Sequence, residues 1–149
     1  MRSARLEDTT AAARIREAAI VRFGRQGFAR TSVREIAADA GVSPALVIHH
    51  YGSKDALRET CDEWLTKQLL GDASRAAGSD FAATMREWAA APDRFGVYID
   101  YFAMMVSDGT EAGNRLFDRL VQDTAVLLEA GVADGSVNKS SDPEMRALL

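Results

Sequence analysis

The stretch "TSVREIAADAGVSPALVIHHYGSKDAL", residues 31–57, packs three helix starts and one enforced stop into a short run. Ser32 is followed three residues later by Glu35, the reciprocal pairing that caps a helix N-terminus. Val33, Ile36, Ala37 and Ala40 then form an apolar stripe at helical spacing. Gly41 ends it, because glycine takes a left-handed backbone without steric cost. Ser43 and Pro44 open a second helix at once, the proline standing where no backbone N–H is required. Ser53 opens a third. Two short helices joined by about three residues around a glycine form a helix-turn-helix corner. Ala37 is small enough to let the helices cross closely, and Val42 and Val47 fill the angle between them. The second helix, Pro44 to about His50, is ~10 Å long. It is predicted to turn Ala45, Leu46, His49 and His50 outward.

The rest of the chain reads as helices too. Ala12, Ile15, Ala19 and Phe23 line one face of a first helix, with Asp8 or Thr9 as its cap and Gly27 as its stop. From Ser53 a long helix carries Leu57, Cys61, Trp64 and Leu65 on one side; run to Leu70, it would be ~27 Å long. After "GDASRAAGS", a connector by composition, Phe81, Met85 and Trp88 mark a further helix. Pro92 opens another, with Val97, Tyr98, Tyr101, Phe102 and Met105 inward and Gly96, Asp100, Ala103 and Ser107 toward water. Thr110 caps one with Phe117, Leu120, Val121, Thr124 and Leu128 as its stripe, and "SDPEMRALL" announces one more. No period-2 strand or internal repeat interrupts this, so the expected class is all-α.

Composition narrows the functions. The chain has 149 residues and a formal net charge of −4, but residues 1–60 hold ten Lys/Arg against seven Asp/Glu and residues 61–149 hold eight against fifteen. A basic first part on an acidic remainder suggests that one end meets a polyanion. Cys61 is the single cysteine, which excludes an internal disulfide and a cysteine-rich zinc site. No run approaches the ~20 apolar residues of a membrane span, and "MRSARLEDTT" lacks a signal core, so a cytoplasmic protein is expected.

Residues 10–65 resemble the TetR family of bacterial transcription regulators. The likeness rests on the Thr/Ser-led helix, "IA…AGVS", the short helix ending in histidines, and "SK" opening a long helix. "RIREAAIVRFGRQGFAR" is similar to that family's first helix and the turn after it. The resemblance implies a three-helix DNA-binding domain over residues 1–53. A long fourth helix would join it to a helical effector-binding and dimerisation domain over 54–149, C-terminally short as written. It also implies a repressor that leaves a palindromic operator in double-stranded DNA when a small-molecule effector binds, acting as a homodimer without a cofactor. Ser32 and Arg34 would contact phosphates. Ser43, Pro44, Ala45, Leu46 and His49 would face bases or backbone in the groove, and His50 and Lys54 would hold phosphates. Ile48 departs from the pattern, standing where many members carry a phosphate-binding tyrosine. Tyr51 is expected in the core.

Other readings compete. Adjacent residues such as His49 and His50 diverge by about 100° on a helix, and no acid or cysteine stands at ligand spacing nearby, which argues against a metal site. No nucleophile-elbow motif is present, so no catalytic residue is assigned. Arg2 and Arg5 form either a basic arm or a solvated terminus. Trp88, Tyr98, Tyr101, Phe102, Met105 and Phe117 invite an effector-pocket reading, although the same spacing is what any core shows. Cys61 reads as a small buried apolar residue. The rival from another class is a helical ligand-binding or protein-interaction module whose corner no longer reads DNA.

Overall fold

A computed structural model describes residues 2–70 and 81–139, with side chains from Thr10 to Leu70 and from Thr84 to Lys139. The described chain holds seven α-helices and no strand: α1 (Arg2–Gln26), α2 (Val33–Ala40), α3 (Pro44–Tyr51), α4 (Lys54–Leu70), α5 (Phe81–Ala90), α6 (Pro92–Ser107) and α7 (Glu111–Asp134). The connector "GDASRAAGS" and the helix expected at "SDPEMRALL" lie outside the described residues.

The signals that punctuate the chain act as helix boundaries. Ser32 caps α2 through a complete capping box, Ser43 caps α3 with Pro44 in its first turn, and Thr110 caps α7. The start of α1 is different from expectation. Neither Asp8 nor Thr9 caps it, because the helix runs back to Arg2. "RSARLE" holds no Gly or Pro, and extending an existing helix adds a hydrogen bond for each residue fixed. Arg2 and Arg5 therefore lie on helical backbone, not on an extended arm.

Helix α1 is the axis of the bundle and touches α2, α3, α4 and α6. Its Ile15, Ala19, Ile20 and Phe23 are wholly buried, together with Ile36 of α2, Leu57, Cys61 and Leu65 of α4, Tyr101 and Met105 of α6, and Leu116 of α7. A fully buried side chain of this size contributes ~1.5–3 kcal/mol against exposure. The seam between α1 and α6 closes at Gly24, where a Cβ atom would sit 2.9 Å from the Tyr101 backbone nitrogen. The seam between α6 and α7 closes at Gly113, whose Cβ would meet the Met105 carbonyl oxygen at 2.4 Å. These approaches need the missing side chains.

In α7 the inward row is Gly113 and Leu116, not Phe117, which is 39% exposed. The two rows are one residue apart, and periodicity alone does not say which one meets α6. Leu120, Val121, Thr124 and Leu128 are half-buried.

Candidate nucleic-acid interface

The corner between α2 and α3 is built from local satisfaction of backbone groups. Gly41 adopts φ 68° and ψ 36°, the left-handed conformation. Its N–H and that of Val42 return to the carbonyls of Ala38 and Ala37, at 3.2 and 3.0 Å. At the next start the Ser43 Oγ accepts the Leu46 N–H at 3.1 Å. Val47 then plugs α3 into the core, and the Tyr51 hydroxyl donates to the Ala12 carbonyl on α1 at 2.6 Å. One buried valine and one long-range hydrogen bond thus fix the rotation of α3 about its axis.

That rotation decides what α3 shows to solvent. Pro44, Ala45, Ile48 and His49 are exposed, Ser43 is exposed just before them, and Leu46 and His50 are half-buried. The His50 ring packs between its neighbours, 5.7 Å from His49 and 6.3 Å from Tyr51 between centroids. Tyr51 is a packing and anchoring residue.

Helix α2 presents Ser32 and Arg34, both exposed, beside this surface. The Glu35 carboxylate accepts from the Ser32 N–H at 2.8 Å, and Arg22 approaches it at 3.6 Å. Chiefly through the Ser32 backbone, its carboxyl is held below the usual carboxylate range. One turn on, Arg22 binds Asp39 with two nitrogens, at 2.5 and 3.0 Å, and lowers that carboxyl as well. The two acids nearest the corner are therefore already committed to an arginine and a helix start.

Lys54 opens α4 in a half-buried position. Its Nζ donates to the carbonyls of Phe28 and Thr31, both at 3.0 Å, and lies 4.2 Å above the Phe28 ring. Two of the three ammonium donors hold the loop between α1 and α2. The same bonds bring the N-terminus of α4 against that of α2. Ser32 and Ser53 cap these two helix starts, which carry Glu35 and Asp55 in their first turns, and Lys54 keeps one further ammonium donor. This internal duty is not legible in the local pattern, because a lysine at a helix start is usually solvated.

A second feature runs along α4 from its first turn. A cleft of about 620 Å³ runs between α4 and the start of α7, lined among others by Arg58, Asp62, Thr66 and Lys67 on one wall and Thr110 and Arg115 on the other. Asp62 is nine-tenths buried, and the Tyr101 hydroxyl donates to its Oδ1 at 2.6 Å. Burial pushes its carboxyl above the ordinary range, although the Tyr101 hydrogen bond and Arg58 oppose this. Sequence reasoning missed Asp62, since a charge next to the apolar Cys61 on a helix defaults to solvent.

None of the six aromatic and methionine residues considered for an effector lines this cleft. Trp88, Tyr101, Phe102 and Met105 are buried in the core, Tyr98 is half-buried, and Phe117 is on the outer side of α7. Tyr101 alone reaches the cleft wall, through Asp62. Trp88 stacks on Phe95 at 5.6 Å and lies 5.3 Å from Tyr98, which in turn lies 5.3 Å from Trp64, forming an aromatic quartet shared by α4, α5 and α6. Among the described residues no group of three or more His, Cys, Asp or Glu could hold a metal, and no helix is long and apolar enough to cross a membrane.

Comparison with known proteins bears on both ends of the chain. Residues 15–61 match the bacterial regulatory proteins of the tetR family, and residues 93–149 match the tetracyclin repressor-like C-terminal domain. The chain is 40% identical over 147 residues to the HTH-type transcriptional regulatory protein RaaS of Mycobacterium tuberculosis (strain ATCC 25618 / H37Rv), covering 99% of this chain and 68% of that protein. It is 40% identical over 87 residues to the HTH-type transcriptional regulator BetI of Rhizobium meliloti (strain 1021), covering 58% of this chain and 42% of that protein. A BetI of Brucella anthropi matches over 62 residues at 40% identity, 42% of this chain and 32% of that protein.

Proposed function

The chain belongs to the TetR family of bacterial transcription regulators, and we propose that within it the chain acts as a homodimeric repressor that leaves a palindromic operator when a small molecule binds. Residues 1–53 are the DNA-reading part in this proposal, and residues 54–149 the sensing and dimerising part. The observation that carries the reading is the outward face of α3. An eight-residue helix is held rigidly by Val47 and Tyr51, and its exposed side chains have no role in the core. A helix ~12 Å long suits a major groove about 12 Å wide.

On this reading Pro44, Ala45, Leu46 and His49 meet the groove, while Ser32, Ser43, Arg34 and His50 meet backbone. Lys54 offers its remaining ammonium donor to a phosphate. Two copies would place their α3 helices about 34–36 Å apart, one turn of duplex. The effector would enter the cleft between α4 and α7, reaching Tyr101 through Asp62 and the aromatic quartet behind it.

The test is selection from a random duplex library at about 100 mM salt, a range in which phosphate contacts still weigh heavily. Enrichment of an inverted repeat is the expected result. A single enriched half-site would refute the homodimer, and no enrichment by folded protein would replace the regulator with a helical interaction module.

A further inference from the structure

Resting on the reading of α3 as the groove-entering element, we propose that Ile48 specifies the operator by contact with a thymine C5-methyl group, with Ala45 extending the same apolar surface. Val47 is 1% exposed and Ile48 44%, so the helix turns one branched side chain into the core and the next out of it. Ile48 is the single large hydrophobic residue exposed to this degree among the described residues of α1 to α4; the others, Phe117, Val126 and Leu127, are all on α7. Close to half of its sec-butyl side chain faces solvent.

The composition of α3 leaves few other ways to read bases. "PALVIHHY" contains no Arg, Lys, Asn or Gln, the side chains that make paired hydrogen bonds to guanine or adenine edges. Among the exposed residues of α3 only His49 offers a directional donor or acceptor. In the major groove the thymine methyl is the apolar group that distinguishes one base pair from another. An exposed isoleucine beside an exposed alanine is complementary to that group and to little else in a duplex. Charge identifies the occupant as nucleic acid. Residues 1–60 carry a net +3, with Arg34 exposed on α2 and Lys54 at the next helix start, while Glu35 and Asp39 are paired internally. A polyanion with an apolar spot in its groove fits both features, whereas a wholly apolar partner would leave the cations facing it.

The experiment uses the full chain and the duplex enriched in the selection above, with each thymine of the half-site replaced in turn by deoxyuridine. This removes one methyl group and leaves phosphates and hydrogen-bonding edges unchanged. The expected result is an affinity loss of about fourfold per half-site at one thymine, the scale of one buried methyl-sized group. The loss should disappear in Ile48→Ala, where thymine and uridine duplexes bind equally, and persist in Ile48→Val. A duplex that is bound without any uridine penalty, or with a penalty unchanged in Ile48→Ala, overturns the inference while leaving DNA binding intact. Failure to bind either duplex overturns the DNA-reading function itself.

Discussion

Three glycines inside helices offer a graded test of how tightly the two halves of the molecule are packed. Gly96 of α6 has no atom within 4 Å of the position its Cβ would take, Gly24 would meet the Tyr101 nitrogen at 2.9 Å, and Gly113 would meet the Met105 oxygen and carbon at 2.4 and 2.5 Å. At Gly96, alanine brings only its helix propensity, a gain of ~0.8–1 kcal/mol. That raises Tm by roughly 2–4 °C in a chain of this size. At Gly113 the new methyl stands about 1 Å inside ordinary carbon contact. Both offending atoms are backbone, so no rotamer change relieves it, and α7 must move off α6. Overpacking costs typically reach ~3 kcal/mol. The position is also in the first turn of α7, where propensity offsets less, so Gly113→Ala should lower Tm by roughly 5–10 °C. Gly24→Ala falls between, with ~1–3 kcal/mol of overpacking against ~1 kcal/mol of propensity. Thermal unfolding followed by circular dichroism ranks the three directly. A Gly113→Ala chain that melts as high as Gly96→Ala would refute the close α6–α7 crossing and the cleft wall that depends on it.

Asp62→Asn should raise Tm at neutral pH and leave it unchanged below about pH 3, where the carboxyl is protonated in both states. The sign follows from a folded-state pKa raised mainly by burial: the ionised form is disfavoured, so wild-type stability falls as pH rises from the unfolded-state value toward the folded one and is level above it. A lower Tm for the variant at pH 7 would refute it. Cys61, wholly buried and with its thiol pushed up by burial, should react with a thiol reagent only as fast as the chain unfolds; stoichiometric labelling of native protein within minutes would contradict this. Tyr51→Phe removes the 2.6 Å bond to Ala12 and should cost ~0.5–1.5 kcal/mol in urea titration at unchanged m. Arg34→Ala should weaken binding to all duplexes alike and make the salt dependence shallower by about one, without altering the melt. Lys54→Ala is expected to lower the melt as well, since two carbonyls lose their donor.

The corner was legible because its instructions are local. Ser32 with Glu35, Gly41, and Ser43 with Pro44 each act within four residues, and each is found doing so. What stayed hidden depends on partners distant in sequence. The choice between Leu116 and Phe117 is made by α6, not by α7's own pattern. Asp62 is buried because Tyr101, 39 residues on, supplies its hydroxyl. Lys54 looked like a surface cation, yet its position is set by carbonyls 26 and 23 residues earlier. The aromatic residues leave pocket and core open in the sequence because a ligand site and a core share one periodicity. Their mutual packing around Trp88 accounts for most of them.

These long-range partners converge on one face of α4. Lys54, Arg58 and Asp62 follow at four-residue spacing and so stand one above another. Lys54 holds the loop at Phe28 and Thr31, and the Phe28 ring lies 4.2 Å from the Lys54 ammonium and 4.7 Å from the Arg58 guanidinium. Arg58 reaches Asp108, at the end of α6, at 2.7 Å, and Asp62 takes the Tyr101 hydroxyl at 2.6 Å. The cleft borders Arg58 and Asp62, and the α2 start that leads into the corner is attached to Lys54. Regulation by a ligand needs a coupling of ~1–3 kcal/mol between two sites. An ion pair with one partner well exposed contributes ~0.2–1 kcal/mol. A ligand in the cleft that favoured an arrangement without the Arg58–Asp108 bond would therefore supply part of that coupling. A shift of α4 by 1–2 Å, ordinary for a packed helix, is enough to break such a bond. On the proposed function no second layer of machinery is required, because Arg58 and Asp62, which border the cleft, stand in one row with Lys54, which holds the loop before α2.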